Sequence, residues 1–161
     1  MPIGFSVGFF IVNLPTGQKI REEKSMKNVA VKENHLYNKA YSKGKRFFGR
    51  FVRVYVLKDL KAKRVMLANP EKKYINRLGI SVSKKNGSAV VRNRIKRIIR
   101  EGYRALEREE LLHTGYLIII AAKNEAADVK STDIERELRY GFAKLDMIKK
   151  DERERQDQET K

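Results

Sequence analysis

Residues 115–123, GYLIIIAAK, contain an uninterrupted apolar run. Such a run is typical of a buried central strand, because a strand with one solvated face alternates apolar and polar side chains. The backbone of a central strand needs hydrogen-bonding neighbours on both edges. The chain is therefore expected to build a sheet around this segment.

Two segments earlier in the chain have a clear period. Residues 33–44 (ENHLYNKAYSKG) are predicted to form a short helix that ends at Gly44, with Tyr37 and Tyr41 one turn apart. Residues 51–57 (FVRVYVL) alternate with period two, which predicts a strand. One face of this strand carries Val52, Val54 and Val56, and the other carries Phe51, Arg53 and Tyr55.

A second strand, residues 77–83 (RLGISVS), is predicted to have an unusually bare face. Its inward side chains are Leu78, Ile80 and Val82, and its other face carries Gly79, Ser81 and Ser83. Residues 58–76 have no clear period. A short strand at Val65–Leu67 and a turn at Asn69-Pro70 are the assignments that local signals favour there.

The last predicted element is a helix from about Thr132, because Thr132 and Glu135 have the spacing of a capping box. Its apolar stripe is Ile134, Leu138, Phe142, Leu145 and Ile148. The element order is then helix, two or three strands, helix, strand and helix. This order predicts an α+β or split α/β sandwich with helices mainly on one face of the sheet.

The segment between the second strand and the apolar run, KKNGSAVVRNRIKRIIR (residues 84–100), contains no carboxylate. Ser88 is a suitable N-cap, which predicts a helix from about Ala89 to about Arg108. At about 100° per residue, the helix has two arcs. The arc expected to face the sheet contains Val91, Ile95, Ile98, Ile99, Gly102, Ala105 and Leu106. The opposite arc contains Arg92, Asn93, Lys96, Arg97, Arg100 and Arg104, with Arg94 near the border.

The charge on the opposite arc has two interpretations. A solvated surface is the ordinary explanation of a basic helix. However, Arg92, Lys96 and Arg100 are four residues apart, so they repel one another instead of forming pairs. The free N–H groups at the start of the helix, together with Lys84 and Lys85, also favour an anion. Phosphate is therefore the ligand that this segment favours.

Composition points to the same partner. The chain has 37 Lys and Arg against 20 Asp and Glu, a formal net charge of +17 over 161 residues. A polyanionic partner is the expectation from such a balance. The length fits one domain. The absence of cysteine excludes disulfides and thiolate metal sites, and it fits a reducing cytoplasm.

The two ends of the chain have unusual compositions. Residues 1–14 are apolar, but they are shorter than the ~20 residues of a membrane span and lack the features of a signal peptide. Residues 1–25 are interpreted as an atypical extension that is disordered, partly buried or not translated, with Met26 as an alternative start. Residues 149–161 (KKDERERQDQETK) are expected to form a charged, disordered tail.

The sequence lacks the motifs of a self-sufficient enzyme. KKNG does not match the P-loop pattern GxxxxGK[ST]. His35 and His113 are assigned to surface or capping roles. No His, Asp and Glu cluster has the spacing of metal ligands.

The run RLGISVSKKNGSAVVRNRIKRIIRE closely resembles the signature of the bacterial ribonuclease P protein subunit. Its hallmarks are Ser83-Lys84-Lys85, Gly87, Arg92-Asn93-Arg94, Lys96-Arg97 and Arg100. The resemblance covers approximately Val29 to Ile148, and Tyr37, Tyr41, Gly44 and Tyr55 also match it. Residues 1–25 and the long segment 58–76 depart from the family pattern.

This resemblance implies an α+β domain over residues 26–148, a two-layer αβββαβα sandwich of the ribosomal protein S5 domain 2-like type. The RNR helix would make a left-handed crossover between parallel strands, against the usual right-handed rule. The family's protein joins a large catalytic RNA, and the complex removes the 5′ leader of precursor tRNA by hydrolysing one phosphodiester bond. Magnesium held mainly by the RNA would activate the water, so no catalytic protein residue is expected. A cytoplasmic location is implied, with no membrane and no obligate protein partner.

Two RNA-binding surfaces are expected. Residues for the catalytic RNA are Lys84, Lys85, Arg92, Asn93, Arg94, Lys96, Arg97 and Arg100. Residues for the leader of precursor tRNA are Tyr37, Tyr41, Phe51, Arg53, Tyr55, Ser81 and Ser83. Rings can stack on unpaired bases, although core packing is the alternative for Tyr37 and Tyr41. The charge alone leaves two other function classes open: a structural RNA-binding protein, such as a ribosomal protein or an RNA chaperone, and a self-sufficient nuclease.

Overall fold

The structure is a computed structural model that describes residues 28–70 and 75–149. It has five strands: β1 (Asn28–Ala30), β2 (Lys45–Phe48), β3 (Val52–Lys58), β4 (Asn76–Ser81) and β5 (Tyr116–Ala122). The α-helices are α1 (Asn34–Lys43), α2 (Ala62–Ala68), α3 (Ala89–Arg108) and α4 (Ser131–Lys144). Short 3-10 helices cover Lys84–Asn86 and Asn124–Asp128. The mixed α+β fold is confirmed.

All five strands form one sheet in the order β1-β4-β5-β3-β2. The β1–β4 and β4–β5 pairs are parallel, whereas β5–β3 and β3–β2 are antiparallel. β5 therefore lies in the centre, as its apolar run predicts, and Leu117–Ile120 are all buried. Because β4 and β5 are parallel neighbours, α3 is the crossover connection between them.

The two faces of the sheet are covered by different helices. α3 and α4 pack over one face, where their buried side chains contact Val54, Ile118 and Ile120. α1 packs over the other face, where Leu36 and Ala40 contact Leu117 and Ile119. Successive residues of β5 thus point alternately into two clusters. The sequence predicts helices mainly on one face of the sheet. The structure places α3 and α4 on that face and α1 on the other.

Three elements differ from the expectation. β1 was not predicted, and periodicity did not locate β2, although the αβββαβα order includes a third strand before the RNR helix. Strands of three and four residues are too short to give a period. The short strand favoured at Val65–Leu67 is wrong, since these residues lie in α2. The α2 sequence AKRVMLA consists mostly of good helix formers, and these outweigh its single valine.

The last helix begins one residue earlier than predicted, at Ser131. The capping carboxylate is Asp133, which accepts a hydrogen bond from the backbone N–H of Lys130 at 3.3 Å, so the Thr132–Glu135 box is wrong. The helix ends at Lys144, and Ile148 lies beyond it in a single β-bridge with Leu112.

The proposed N-terminal extension and all of the charged tail beyond Lys149 lie outside the described residues. The backbone N–H of Lys149 itself donates to Leu111. Among the described residues, no helix is long and apolar enough to cross a membrane.

Candidate nucleic-acid interface

α3 has the boundaries and the orientation that the sequence predicts. It runs from Ala89 to Arg108, and the Ser88 side chain accepts a hydrogen bond from the Val91 N–H at 3.4 Å. Ile95, Ile99 and Leu106 are buried against the sheet. Tyr103, which the sequence analysis did not include, is also buried.

The outward side of α3 is rich in unpaired cations. We call this surface the cationic face and define it as Arg92, Asn93, Lys96, Arg97 and Arg100. Asn93, Arg97 and Arg100 are exposed, whereas Arg92 and Lys96 are half-buried. Within residues 28–70 and 75–149, none of its four cations forms a salt bridge with a carboxylate. The same-sign charge is therefore available to an external anion.

Arg92 and Arg94 differ from their neighbours in environment. The Arg92 Nε atom is buried and has no hydrogen-bond partner in the part of the chain that the structure describes. Arg94 is exposed near the border of the arc, as predicted. Its guanidinium forms no ion pair with a described carboxylate.

Lys84 and Lys85 reach the start of α3 on a rigid turn. Both are exposed in the 3-10 helix Lys84–Asn86, which ends at Gly87 with φ +117°. The buried Asn86 holds this turn, because its Nδ2 donates to the Lys123 carbonyl at 2.8 Å. Asn86 is a positioning residue that the sequence analysis missed; its only signal is a short amide side chain just before a glycine.

The opposite face of the sheet carries a chain of aromatic rings, which we call the aromatic face and define as Tyr37, Tyr41, Phe48 and Tyr55 with Arg53. The Tyr41 and Tyr55 rings meet edge to face with centroids 4.8 Å apart. Tyr37 lies 6.5 Å from Tyr41, and Phe48 lies 6.4 Å from Tyr55. The Arg53 guanidinium carbon lies 5.9 Å from the Phe48 centroid. Stacking surfaces and a cation are thus adjacent.

Phe48 was missing from the predicted site, although it is the most exposed ring of the aromatic face, with 59% of its surface accessible. It pairs with Arg53 across the β2–β3 hairpin, so both side chains point to the same face. Only the β2–β3 register identifies it, because β2 is too short to be predicted from periodicity.

Phe51 does not belong to the aromatic face, and its predicted grouping with Tyr55 is wrong. It packs against the opposite cluster, under α3 and α4. The cause is Glu137 of α4, whose carboxylate accepts backbone hydrogen bonds from Phe51 and Val52, each at 2.9 Å. This contact holds the β2–β3 turn toward α4, and Phe51 follows the turn.

The two serines of the predicted leader site are separated. Ser81 pairs with Ala121, which pairs with Arg53, so Ser81 lies in the same cross-strand row as Arg53 and Phe48. Ser83 lies beyond β4, and its Oγ donates to the Asn86 Oδ1 at 2.9 Å. Ser83 therefore belongs to the lysine turn, while Ser81 leaves space beside the rings.

Tyr37 packs over Gly79 of β4. Burial and the neighbouring Tyr41 raise the pKa of its phenol above the usual value. Its hydroxyl donates to the Val31 carbonyl at 3.4 Å. The ring is therefore neutral at physiological pH and can offer an uncharged surface.

Comparison with known proteins assigns the chain to a family. The sequence profile of the Ribonuclease P family, described as "Ribonuclease P", matches residues 26–146. The chain belongs to the ribonuclease P protein family. It is 36% identical over 128 residues to the ribonuclease P protein component of Clostridium acetobutylicum, covering 80% of this chain and 98% of that relative. It is also 36% identical over 113 residues to that of Clostridium botulinum strain Langeland, covering 70% of this chain and 90% of the relative.

A solved ribonuclease P protein supports the same assignment at the level of the fold. The Staphylococcus aureus RNase P protein matches with a TM-score of 0.54 and 33% identity, over 72% of this chain and 95% of that one. As a member of this family, the chain takes part in tRNA processing by ribonuclease P and works with an RNA subunit.

Proposed function

We propose that the cationic face, with Lys84, Lys85 and Arg94, binds the catalytic RNA of ribonuclease P, and that the aromatic face with Ser81 binds the 5′ leader of precursor tRNA. The complex then cleaves one phosphodiester bond and releases the leader, which gives the mature 5′ end. The protein contributes binding and positioning, and the RNA carries the chemistry.

One observation carries this proposal: the two surfaces lie on opposite sides of one sheet and differ in chemistry. The cationic face presents unpaired positive charge on a rigid helix, which suits the phosphates and 2′-hydroxyls of structured RNA. The aromatic face presents rings beside one arginine, which suits unpaired bases. A single protein can therefore hold a folded RNA and a single strand at the same time.

The described residues do not fit a magnesium site of their own. The described ranges contain no group of three or more His, Asp or Glu side chains able to hold a metal ion. Neither described histidine, His35 nor His113, belongs to such a group. We therefore assign the magnesium of the reaction to the RNA, and no step of the chemistry to a protein side chain.

The cellular setting that we propose is the cytoplasm. The chain has no cysteine, which suits a reducing compartment. The two RNAs are sufficient partners for both surfaces, so no additional protein is needed to explain them.

The test is reconstitution with the cognate ribonuclease P RNA. Precursor tRNA cleavage is measured at a magnesium concentration where the RNA alone is slow, with and without the full chain. We expect faster cleavage at the same 5′ site when the protein is present. Unchanged cleavage would contradict the proposal, and cleavage by the protein alone would point to a self-sufficient nuclease.

A further inference from the structure

A pocket of about 190 Å³ opens at the edge of the sheet, where the cationic and aromatic faces meet. Tyr37 of α1 lines it from one face, and Lys96 and Arg100 of α3 line it from the other. Leu78 and Ile80 of β4 lie between them. The pocket therefore shares residues with both proposed RNA surfaces.

The lining of this pocket divides into two chemical parts. Ala30, Val31, Leu78 and Ile80 form an apolar wall. Lys96 and Arg100, together with Arg104, supply positive charge, and the Tyr37 ring completes the lining. Within the described ranges, neither Lys96 nor Arg100 is paired with a carboxylate. An apolar wall beside Lys96 and Arg100 fits a ligand with a flat apolar part and an anionic part.

β1 forms the outer wall of the pocket. Its Ala30 side chain and the following Val31 line the outer side, and the Val31 N–H donates to the Leu78 carbonyl at 3.0 Å. The Asn28 Nδ2 donates to the Glu107 Oε2 at 3.0 Å, which ties the strand to α3. The wall is therefore fixed to the sheet and to the cationic helix at once.

The size and location of the pocket narrow the class of ligand. Its volume is below the roughly 300–1,000 Å³ of sites for drug-sized molecules, so it has room for a single small ring system. The pocket lies between two proposed RNA surfaces, so RNA is the expected source of its ligand. The unit of RNA that combines a flat ring with an anionic group is one nucleotide. We propose that the pocket receives one unstacked nucleotide, with the base against the apolar wall and Tyr37 and the phosphate at Lys96 and Arg100. This inference rests on the proposed function.

Filling the pocket without changing its charge tests the proposal. Ala30→Phe places a ring in the site and leaves Lys96 and Arg100 intact. The matched control is Ala143→Phe, at an exposed position of α4 away from both RNA surfaces. Urea unfolding of both full-length variants checks that each is folded.

Two titrations separate the possible sources of the nucleotide. The first measures affinity for the cognate ribonuclease P RNA, and the second compares precursor with mature tRNA on the holoenzyme. We expect Ala30→Phe to weaken one of these affinities by about tenfold, the scale of a lost base contact. A loss in the first titration identifies the catalytic RNA as the source, and a loss for precursor tRNA alone identifies the leader.

The contrary results are distinct. If wild type binds both RNAs and Ala30→Phe matches it in both titrations, the pocket proposal is overturned while the proposed function stands. If wild type binds neither RNA, the proposed function fails and the pocket proposal fails with it.

A second measurement needs no variant. Adenosine monophosphate is added to the full chain, and the methyl resonances of Val31, Leu78 and Ile80 are followed by NMR, with inorganic phosphate as the control. We expect the nucleotide to shift these methyl signals and phosphate to leave them in place. Equal shifts from both probes, or none from either, would overturn the assignment.

Discussion

The ring of Tyr37 lies directly on the backbone of Gly79. A Cβ atom at position 79 would come within 2.8 Å of both the Cζ and the hydroxyl oxygen of Tyr37, and within 2.6 Å of the Ile119 Cδ1. The bare face of β4 that the sequence shows is therefore used in part to seat α1. Ser81 is the next residue of β4 on this face, and it is the part of the bare surface that stays open beside the rings.

Replacing Gly79 tests this seat. We expect Gly79→Ala to displace the Tyr37 ring and to lower the free energy of unfolding by ~1–3 kcal/mol, the usual cost of overpacking. In a Tyr37→Ala background, Gly79→Ala should lower the free energy of unfolding by less, because the clash with the ring is gone. A double-mutant cycle by urea unfolding measures this difference. Additive costs would show that the two residues are not coupled.

The cationic face predicts a salt-dependent loss of RNA binding. Arg97→Ala should weaken binding to the catalytic RNA and lower the slope of log affinity against log salt by about 1, as for one lost phosphate contact. Lys63→Ala in α2 removes the same charge elsewhere on the surface and serves as the control. Equal salt slopes for wild type and Arg97→Ala would count against the docking face.

The buried ion pair between Asp59 and Arg77 should stabilise the sheet. Arg77 donates from Nε at 2.6 Å and from a terminal nitrogen at 2.7 Å to the two carboxylate oxygens, and their side chains are only 11% and 5% exposed for Arg77 and Asp59. Asp59→Ala leaves the arginine charge buried, so a loss of about 3–5 kcal/mol is expected in urea unfolding. Glu109→Ala, which removes an exposed partner of Arg139, should change stability little. Similar small effects for both variants would contradict this assignment.

The buried Tyr103 should make the protein less stable at alkaline pH. Burial and then the charge of Glu107 raise the pKa of its phenol far above the usual value of 10.0. The nearby Asn76 side chain lowers this pKa, but by less than burial raises it. The Tyr103 hydroxyl has no hydrogen bond of normal geometry among the described residues. The folded state therefore keeps the proton above pH 10 while the unfolded state releases it, so stability falls as pH rises.

Tyr103→Phe should remove that dependence. At pH 7 the variant should be as stable as wild type or more so, because the buried hydroxyl has no partner. Above pH 10 its advantage should grow by about 1.4 kcal/mol per pH unit in urea unfolding. An advantage that does not change between pH 8 and pH 11 would show that Tyr103 titrates normally.

Sequence reasoning succeeded where one element determines its own pattern. The α3 boundaries, its Ser88 cap and its two arcs follow from residues within a single helix. Phe48 and Phe51 exchanged roles because their orientation depends on a hairpin register and on Glu137, which is 86 residues from Phe51 along the chain. β1 also escaped prediction, since three residues at a parallel edge acquire their structure from β4.

The division of labour between the two faces is tested most directly by the affinity of the reconstituted holoenzyme for precursor and mature tRNA. Tyr41→Ala should weaken precursor binding by about tenfold, as expected for a lost stacking contact of ~1–3 kcal/mol, and leave mature tRNA binding unchanged. An equal loss for both substrates, or no loss for either, would contradict the assignment of the leader to the aromatic face.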